Sequence, residues 1–277
     1  MNILRNENTY GINKRFSFIE KTIIRINPAT LLDVGCGAGT YLTFPIAKRF
    51  PAVRVVGIDS DEPSISFAQR NYPLSNLEFK LFDILSEHEK FDLIIASEVI
   101  EHVEDPLDFL VNLKSRLNPG GLLIVTLPNG YGPFEIMEFI ETLLDIIAIP
   151  KLLRRLGGRS KNSLNTSTDT LAVSPHVNFF SFSLIQSLFG AVGFRVNEYL
   201  PRTLLCGWGF DYILRNNWLI AWNAKVSEFM PAIFCSDWMF VLAQTEPLPY
   251  RGYHRSVYAR LRRFLNARQL GNQGPAN

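Results

Sequence analysis

The sequence predicts an α/β protein whose mostly parallel sheet is covered by helices on both faces. Three observations carry that prediction. Short apolar runs alternate with segments that are apolar at every third or fourth position, as far as about residue 127. The runs are apolar throughout, as strands buried on both faces must be. A glycine-rich turn follows the first run, at the place where such sheets bind ligands.

The elements follow in order. Residues 13–25 place Phe16, Ile19, Ile23 and Ile24 at helical spacing. Residues 30–34 form a strand that enters the turn Gly35-Cys36-Gly37-Ala38-Gly39, and residues 40–50 form the helix after it. Strands over 53–58, 77–82 and 91–97 alternate with helices over 62–71 and 106–117. Asn118-Pro119-Gly120-Gly121 reads as a turn before a strand over 122–127. Residues 134–149 predict an amphipathic helix, apolar at Ile136, Met137, Ile140, Leu143, Leu144 and Ile147. Its acids, Glu135, Glu138, Glu141 and Asp145, fall mostly on the other face, and Pro150 ends it. A basic piece over 151–161 and a Ser/Thr-rich loop over 162–170 come next. A helix over 183–189 and strands over 194–200 and 238–244 complete the pattern. Between those strands lie Trp208, Phe210, Tyr212, Trp218, Trp222, Phe229 and Phe234, suited either to a core or to an acceptor pocket. The last segment carries Arg255, Arg260, Arg262, Arg263 and Arg268 with no acid nearby, and reads as a solvated end.

This divides the chain into four parts. Residues 1–129 hold an N-terminal helix and a ligand-binding half, and 130–174 form a lid-like or membrane-facing insertion. Residues 175–250 form the second half, with an aromatic insertion at 202–236, and 251–277 a basic tail.

Composition narrows the class of protein. The chain has 277 residues, 47% of them apolar and 19% charged, which excludes wholesale disorder. A net charge of +2 gives no reason to expect a nucleic-acid partner. The three cysteines, Cys36, Cys206 and Cys235, are odd in number and form no CxxC pair, so neither a disulfide framework nor a zinc site is expected. There is no signal-peptide pattern at the start and no apolar run approaching the ~18 residues of a spanning helix. The expected location is the cytoplasm, with peripheral contact to a membrane surface left open.

The residues after the strands carry the chemistry. Gly35, Gly37 and Gly39 let a ligand approach the main chain. The following helix start suits a carboxylate, and Asp33 suits an ammonium, so the pair matches an amino-acid moiety. Asp59 ends the second strand 24 positions after Gly35, where an acid accepts from ribose hydroxyls or caps the next helix. Asp83, after the third strand, suits the exocyclic amine of an adenine. Ser97-Glu98, after the fourth, lines the opposite wall. The competing ligand is a nicotinamide dinucleotide, but its fingerprint is GxGxxG, whereas the spacing here is GxGxG with Thr40 in place of the third glycine.

The segments LLDVGCGAGTYL, VVGIDSDEPSISFAQ, FDLIIASEVIEHVEDP and LKSRLNPGGLLIVTLPN resemble successive motifs of class I S-adenosylmethionine-dependent methyltransferases. HVNFFSFSLIQSLFGAVGF resembles a later segment of the branch that includes the ubiquinone-pathway O-methyltransferases. The resemblance covers residues 28–129 and 174–200 and implies a Rossmann-like, doubly wound, seven-stranded sheet with its last strand antiparallel. It implies S-adenosylmethionine as cofactor: Asp33, Gly35 and Gly37 at the methionine part, Asp59 at the ribose, Asp83 and Ile84 at the adenine, and Glu98 near the sulfonium. Cys36, Gly39, Ser60 and Ser97 complete the expected cofactor shell. Residues 130–174 and 202–236 exceed a minimal member, and both insertions are expected at the substrate end of the sheet.

The expected reaction is methyl transfer, at oxygen, to a small lipophilic or aromatic acceptor. His176 and Tyr131 are the candidates for a catalytic base, and His102 is expected to fix the Glu98 loop. No His, Cys, Asp and Glu cluster has metal-ligand spacing along the chain, so no metal is expected. A non-catalytic binding protein of the same fold and a nicotinamide-dependent oxidoreductase are the alternatives.

Overall fold

A computed structural model describes residues 11–81, 89–146, 176–206, 214, 216–250 and 252–271. Seven strands form one sheet: β1 (Thr30–Val34), β2 (Arg54–Asp59), β3 (Leu77–Leu81), β4 (Phe91–Ser97), β5 (Leu117–Pro128), β6 (Phe194–Pro201) and β7 (Asp237–Gln244). Their spatial order is β3-β2-β1-β4-β5-β7-β6. The first five pair in parallel, and β7 runs antiparallel to both β5 and β6. The strand order reverses between β1 and β4, which opens a crevice at their carboxyl ends.

Eight helices are described: α1 (Ile12–Ile26), α2 (Thr43–Arg49), α3 (Glu62–Asn71), α4 (Pro106–Ser115), α5 (Pro133–Ile146), α6 (Phe182–Val192), α7 (Asn217–Val226) and α8 (Val257–Gly271). Successive strand residues point to opposite faces, so neighbours along a strand enter different cores. Leu32, Val56 and Ile94 pack with Phe109 and Leu113 of α4 and Ile185 and Phe189 of α6. Leu31, Val55 and Leu93 pack with Ile19 and Ile23 of α1 and Ile46 of α2. Each fully buried side chain of this kind contributes about 1.5–3 kcal/mol.

Local signals start and stop the helices. The Asp61 carboxylate accepts from Ser64 N at the start of α3, and that of Asp105 from Leu107 N and Asp108 N at the start of α4. A proline in the first turn of each needs no helical N–H partner. Ser181 caps α6, and Gly193, at φ 85°, ends it.

The structure departs from the sequence reading at four places. The helix after the glycine turn starts at Thr43 instead of residue 40, because a tight turn with Gly39 N–H donating to Cys36 O precedes it. Residues 118–121 belong to β5, with a register shift between Phe91 and Leu93 of β4. On α5, Glu135 is fully buried while Ile136 and Ile140 are 48% and 37% exposed, against expectation at those three positions. The basic tail is not a solvated end: it forms α8, whose Arg262 is buried and salt-bridged to Glu135 at 2.8 Å. The side chains of Glu138, Glu141 and Asp145 lie outside the described part, as do residues 147–175 with the basic piece and the Ser/Thr-rich loop. Among the described residues no helix is long and apolar enough to cross a membrane.

Candidate functional site

The register brings the candidate residues to one level. Val34 of β1 pairs with Ile58 of β2 and with Ala96 of β4. Gly35, Asp59 and Ser97 therefore each stand one residue beyond that row, at the carboxyl ends of adjacent strands. Leu81 of β3 pairs with Asp59; Asp83 and Ile84, just after it, lie outside the described residues.

The glycine turn is tied down from within. Gly35 N–H and Cys36 N–H both donate to Ile58 O, at 2.9 and 3.0 Å. Gly37 N–H donates to Asp59 Oδ2 at 2.8 Å, and Asp61 N–H to Asp59 Oδ1 at 2.8 Å. Asp59 thus clamps the turn to the next helix and keeps further lone pairs for a ligand. Gly35 has φ 68°, and a Cβ there would stand 2.5 Å from Val99 Cγ2. At this position only glycine lets the turn close against the wall that follows β4. Asp33 is buried and accepts from Thr43 Oγ1 at 2.7 Å. Cys36 is buried and Ser60 exposed.

Glu98 sits at φ 58°, a left-handed backbone that a glutamate adopts at a cost of about 1–3 kcal/mol. Its carboxylate accepts from Thr126 Oγ1 at 2.6 Å, and Thr126 meets Ser97 Oγ at 2.9 Å. Arg202 reaches Glu98 Oε1 at 3.1 Å and Asp237 Oδ1 at 2.7 Å. Thr203 Oγ1 donates to Asp237 Oδ2 at 2.8 Å. Burial pushes the Glu98 carboxyl up, but the charges of Arg202 and Arg15 and the hydrogen bonds from Thr126 and Arg202 together outweigh it and hold the group below its usual range. Sequence reasoning missed Arg202 and Asp237. The available signal was a charged residue directly after β6 and another at the start of β7, both facing the carboxyl end of the sheet.

A second polar cluster adjoins this wall. Glu101 is 1% exposed, and neither carboxylate oxygen has a hydrogen-bond partner among the described residues. Burial pushes its carboxyl up to about 8, with the negative charge of Glu98 adding to the rise. Its main-chain carbonyl accepts from Val177 N–H and Asn178 N–H, both at 2.9 Å. Asn178 Nδ2 donates to Ile100 O at 3.2 Å and to Val103 O at 2.6 Å. The segment before α6 is thereby strapped over the end of β4, with His176 beside His102, their ring centroids 4.9 Å apart. His176 Nδ1 meets Glu135 Oε1 at 2.6 Å, while the other Glu135 oxygen takes Arg262. Burial raises the Glu135 carboxyl, but His176 and Arg262 together hold it below its usual range.

The remaining candidates lie along the insertions. The Tyr131 hydroxyl pairs with Ser256 Oγ at 2.9 Å, and its ring packs on Tyr258 of α8. Asn129 Nδ2 donates to Ile233 O and Cys235 O, at 3.0 and 2.9 Å. This places the second insertion beside the start of α5, at the carboxyl end of the sheet. Trp218, Phe229, Ile233 and Phe234 of that insertion are exposed, Phe229 by 77%, so they form no core. Trp208, Phe210 and Tyr212 lie outside the described residues.

A family model for a methyltransferase domain matches residues 9–199. The Ubiquinone biosynthesis O-methyltransferase of Rickettsia canadensis is 28% identical over 206 residues, 74% of this chain and 76% of that protein. The protein of the same description from Cereibacter sphaeroides is 36% identical over 104 residues, 36% of this chain and 41% of that one. The chain thus spans three quarters of the first of these relatives and less than half of the second. Among solved structures, magnesium protoporphyrin IX methyltransferase from Synechocystis PCC 6803, with bound SAH, superposes with a TM-score of 0.51 at 15% identity, over 88% of each chain. The plantazolicin methyltransferase BpumL, with a triazolic desmethylPZN analogue and SAH, gives 0.52 at 18% identity over 87% of each. These two likenesses bear on the fold, and the match of the family model excludes the nicotinamide alternative. The chain belongs to the methyltransferase domain family and is a class I S-adenosylmethionine-dependent methyltransferase.

Proposed function

We propose that the chain transfers the methyl group of S-adenosylmethionine to an oxygen of a small lipophilic or aromatic acceptor held beneath its two insertions. The observation that carries this reading is the meeting of Asp33, the glycine turn, Asp59 and Glu98 at the carboxyl ends of β1, β2 and β4. The donor set fits an adenosyl amino acid: buried Asp33 answers an ammonium, and Asp59, fixed by two backbone N–H groups, has lone pairs left for a ribose diol. Gly35, Cys36, Gly37, Gly39, Ser60 and Ser97 shape the walls around it. Asp83 and Ile84 are assigned to the adenine by resemblance alone.

The bound cofactor supplies an electrophilic methyl group. The chain's own residues orient and dry the site, and holding two reactants in line supplies roughly 7–11 kcal/mol. Glu98, paired with Arg202 and Thr126, presents a fixed negative wall on the side assigned to the sulfonium. His176 is the group on the acceptor side, a base whose ring Glu135 orients through Nδ1. Tyr131, whose hydroxyl is engaged by Ser256, is the weaker candidate. That both relatives are O-methyltransferases supports oxygen as the acceptor atom. The exposed Ile136, Ile140, Trp218 and Phe229 support a lipophilic acceptor.

Calorimetry with S-adenosylhomocysteine tests the cofactor half. Asp59→Ala is expected to weaken binding about 10–100-fold, the worth of hydrogen bonds to a charged group. An unchanged affinity removes the ribose assignment. Transfer from methyl-labelled cofactor into a lipid extract tests the acceptor half. Label in an ether or ester supports it, and label only on nitrogen or carbon overturns it.

A further inference from the structure

We propose that a pocket at the start of α8 binds a phosphate group, carried either by a soluble molecule or by a lipid head. The pocket is open, encloses about 550 Å³, and is lined by Tyr253, His254, Arg255, Arg260 and Arg263. Three of these side chains are guanidinium groups and none is an acid. A guanidinium fork matches a pair of phosphate oxygens, and one phosphate has oxygens for more than one fork. The helix begins at Val257, so the positive end of its dipole adds to the same field.

Independent observations point to an anion. Arg260 and Arg263 stand three positions apart, on one face of α8. Arg260 and His254 are exposed, and neither has a hydrogen bond or ion pair among the described residues. The other two arginines already grip a carboxylate. Arg263 donates to both oxygens of Glu104, at 2.5 and 2.9 Å, and Arg255 Nη2 to one of them at 3.3 Å. The Glu104 side chain is 69% exposed, yet the hydrogen bonds and charges of Arg263 and Arg255 hold its carboxyl below the usual range. The field at this spot therefore favours negative charge even with that acid in place. Asp105, the other acid near Tyr253, has Oδ1 engaged by the first N–H groups of α4. The donors are also fixed in advance. The Tyr253 hydroxyl and Arg255 Nε both donate to Asn178 Oδ1, at 2.9 and 3.0 Å, and Arg255 Nη2 donates to Glu104 O at 2.5 Å. Side chains held this way lose little freedom when a ligand arrives.

None of the lining residues belongs to the crevice assigned to the cofactor. The site therefore stands whether or not the oxygen-transfer reading does.

The test uses the full chain near physiological ionic strength, where diffuse surface charge is screened. One arm titrates inorganic pyrophosphate by calorimetry. The other measures sedimentation with phosphatidylcholine vesicles, with and without phosphatidic acid. Saturable binding is expected in at least one arm: heat from pyrophosphate identifies a soluble ligand, and binding only to the phosphatidic acid vesicles identifies a lipid head. Arg260→Ala and Arg263→Ala should each weaken that binding about tenfold, the worth of a hydrogen bond to a charged group. Glu104→Gln, which removes a competing negative charge, should tighten it severalfold. Arg49→Ala, on α2 and outside the pocket, should bind as wild type does. S-adenosylhomocysteine affinity reports that each variant is folded, and Arg260, exposed and unpaired among the described residues, is the substitution that folding tolerates best. Wild-type chain that binds neither probe overturns the site, as does equal binding by wild type, Arg260→Ala and Arg263→Ala. An equal loss in Arg49→Ala also overturns it, since the attraction would then be spread over the surface. A chain that binds pyrophosphate but methylates no oxygen keeps the site and loses only the acceptor reading.

Discussion

Arg202 holds Glu98 and Asp237 together in a part-buried wall beside the crevice at the carboxyl end of the sheet. Replacing it leaves two carboxylates facing each other without a counter-charge. Arg202→Met is expected to destabilise the fold by about 3–5 kcal/mol, the usual result of breaking a buried ion pair from one side. Urea unfolding measures this, and a loss under 1 kcal/mol would show the pair to be solvated. The contrast with Asp33 and Asp59 is instructive. Those acids were legible because each lies at the carboxyl end of a strand, Asp33 two positions before the glycine turn and Asp59 24 positions after Gly35. Arg202 contacts Glu98 from 104 positions away, and only the folding of β6 and β7 onto β5 brings them together. Glu101, His102 and His176 escaped linear spacing for the same reason: the second histidine arrives on a strap more than seventy positions downstream.

Single elements depend on clasps that the sequence pattern does not reveal. Asp92, near the start of β4, accepts from Ala29 N–H, Thr30 N–H, Thr30 Oγ1 and Asn118 Nδ2, and so joins β1, β4 and β5 at their entry ends. Burial pushes its carboxyl up, but the hydrogen bonds from Asn118, Thr30 and Ala29 outweigh it and hold it below the usual range. A carboxyl lowered in the folded state stabilises above its unfolded pKa of about 3.9. That contribution fades as pH falls through the folded value. Asp92→Asn should therefore be less stable than wild type at pH 7 by about 1–3 kcal/mol. The gap should shrink in melts taken at progressively lower pH below 4; a gap independent of pH would remove the carboxylate from the account. Gly130 is a second such point, where a Cβ would stand 2.5 Å from Phe179 C and Phe180 N. Both atoms are backbone, so neither side can yield cheaply. Gly130→Ala should cost about 1–3 kcal/mol by overpacking and loosen the strap that carries His176. Thermal melts and proteolysis near residue 180 would show it, and wild-type behaviour in both would refute it. The burial of Glu135 on α5 belongs to this scale too. Periodicity located the helix, but the inward turn of this acid depended on what stood opposite.

At the scale of the whole molecule, α8 acts as a clamp. Arg262 lies between the rings of Phe139 and Phe179, 5.3 and 5.0 Å from their centroids, and pairs with Glu135. Arg255 and Arg263 both reach Glu104 after β4. The C-terminal segment thus ties the first insertion to the second wall of the crevice. Arg262→Leu keeps apolar bulk but leaves Glu135 with His176 alone, and should destabilise by about 3–5 kcal/mol. A melting temperature unchanged from wild type would return the segment to the solvated end that its composition suggests.

The sequence by itself determined the strands, most of the helices, the doubly covered parallel sheet and the acids at its strand ends. Those features arise from side-chain periodicity and from turn and cap residues, which act over a handful of positions. The tertiary structure alone decided that Glu135 of α5 turns inward, what the arginine-rich segment does, and how Glu101 comes beside two histidines. These depend on pairing between charges far apart in the chain. A buried charge is tolerable only where its counter-charge is delivered, and no local pattern records where that delivery occurs.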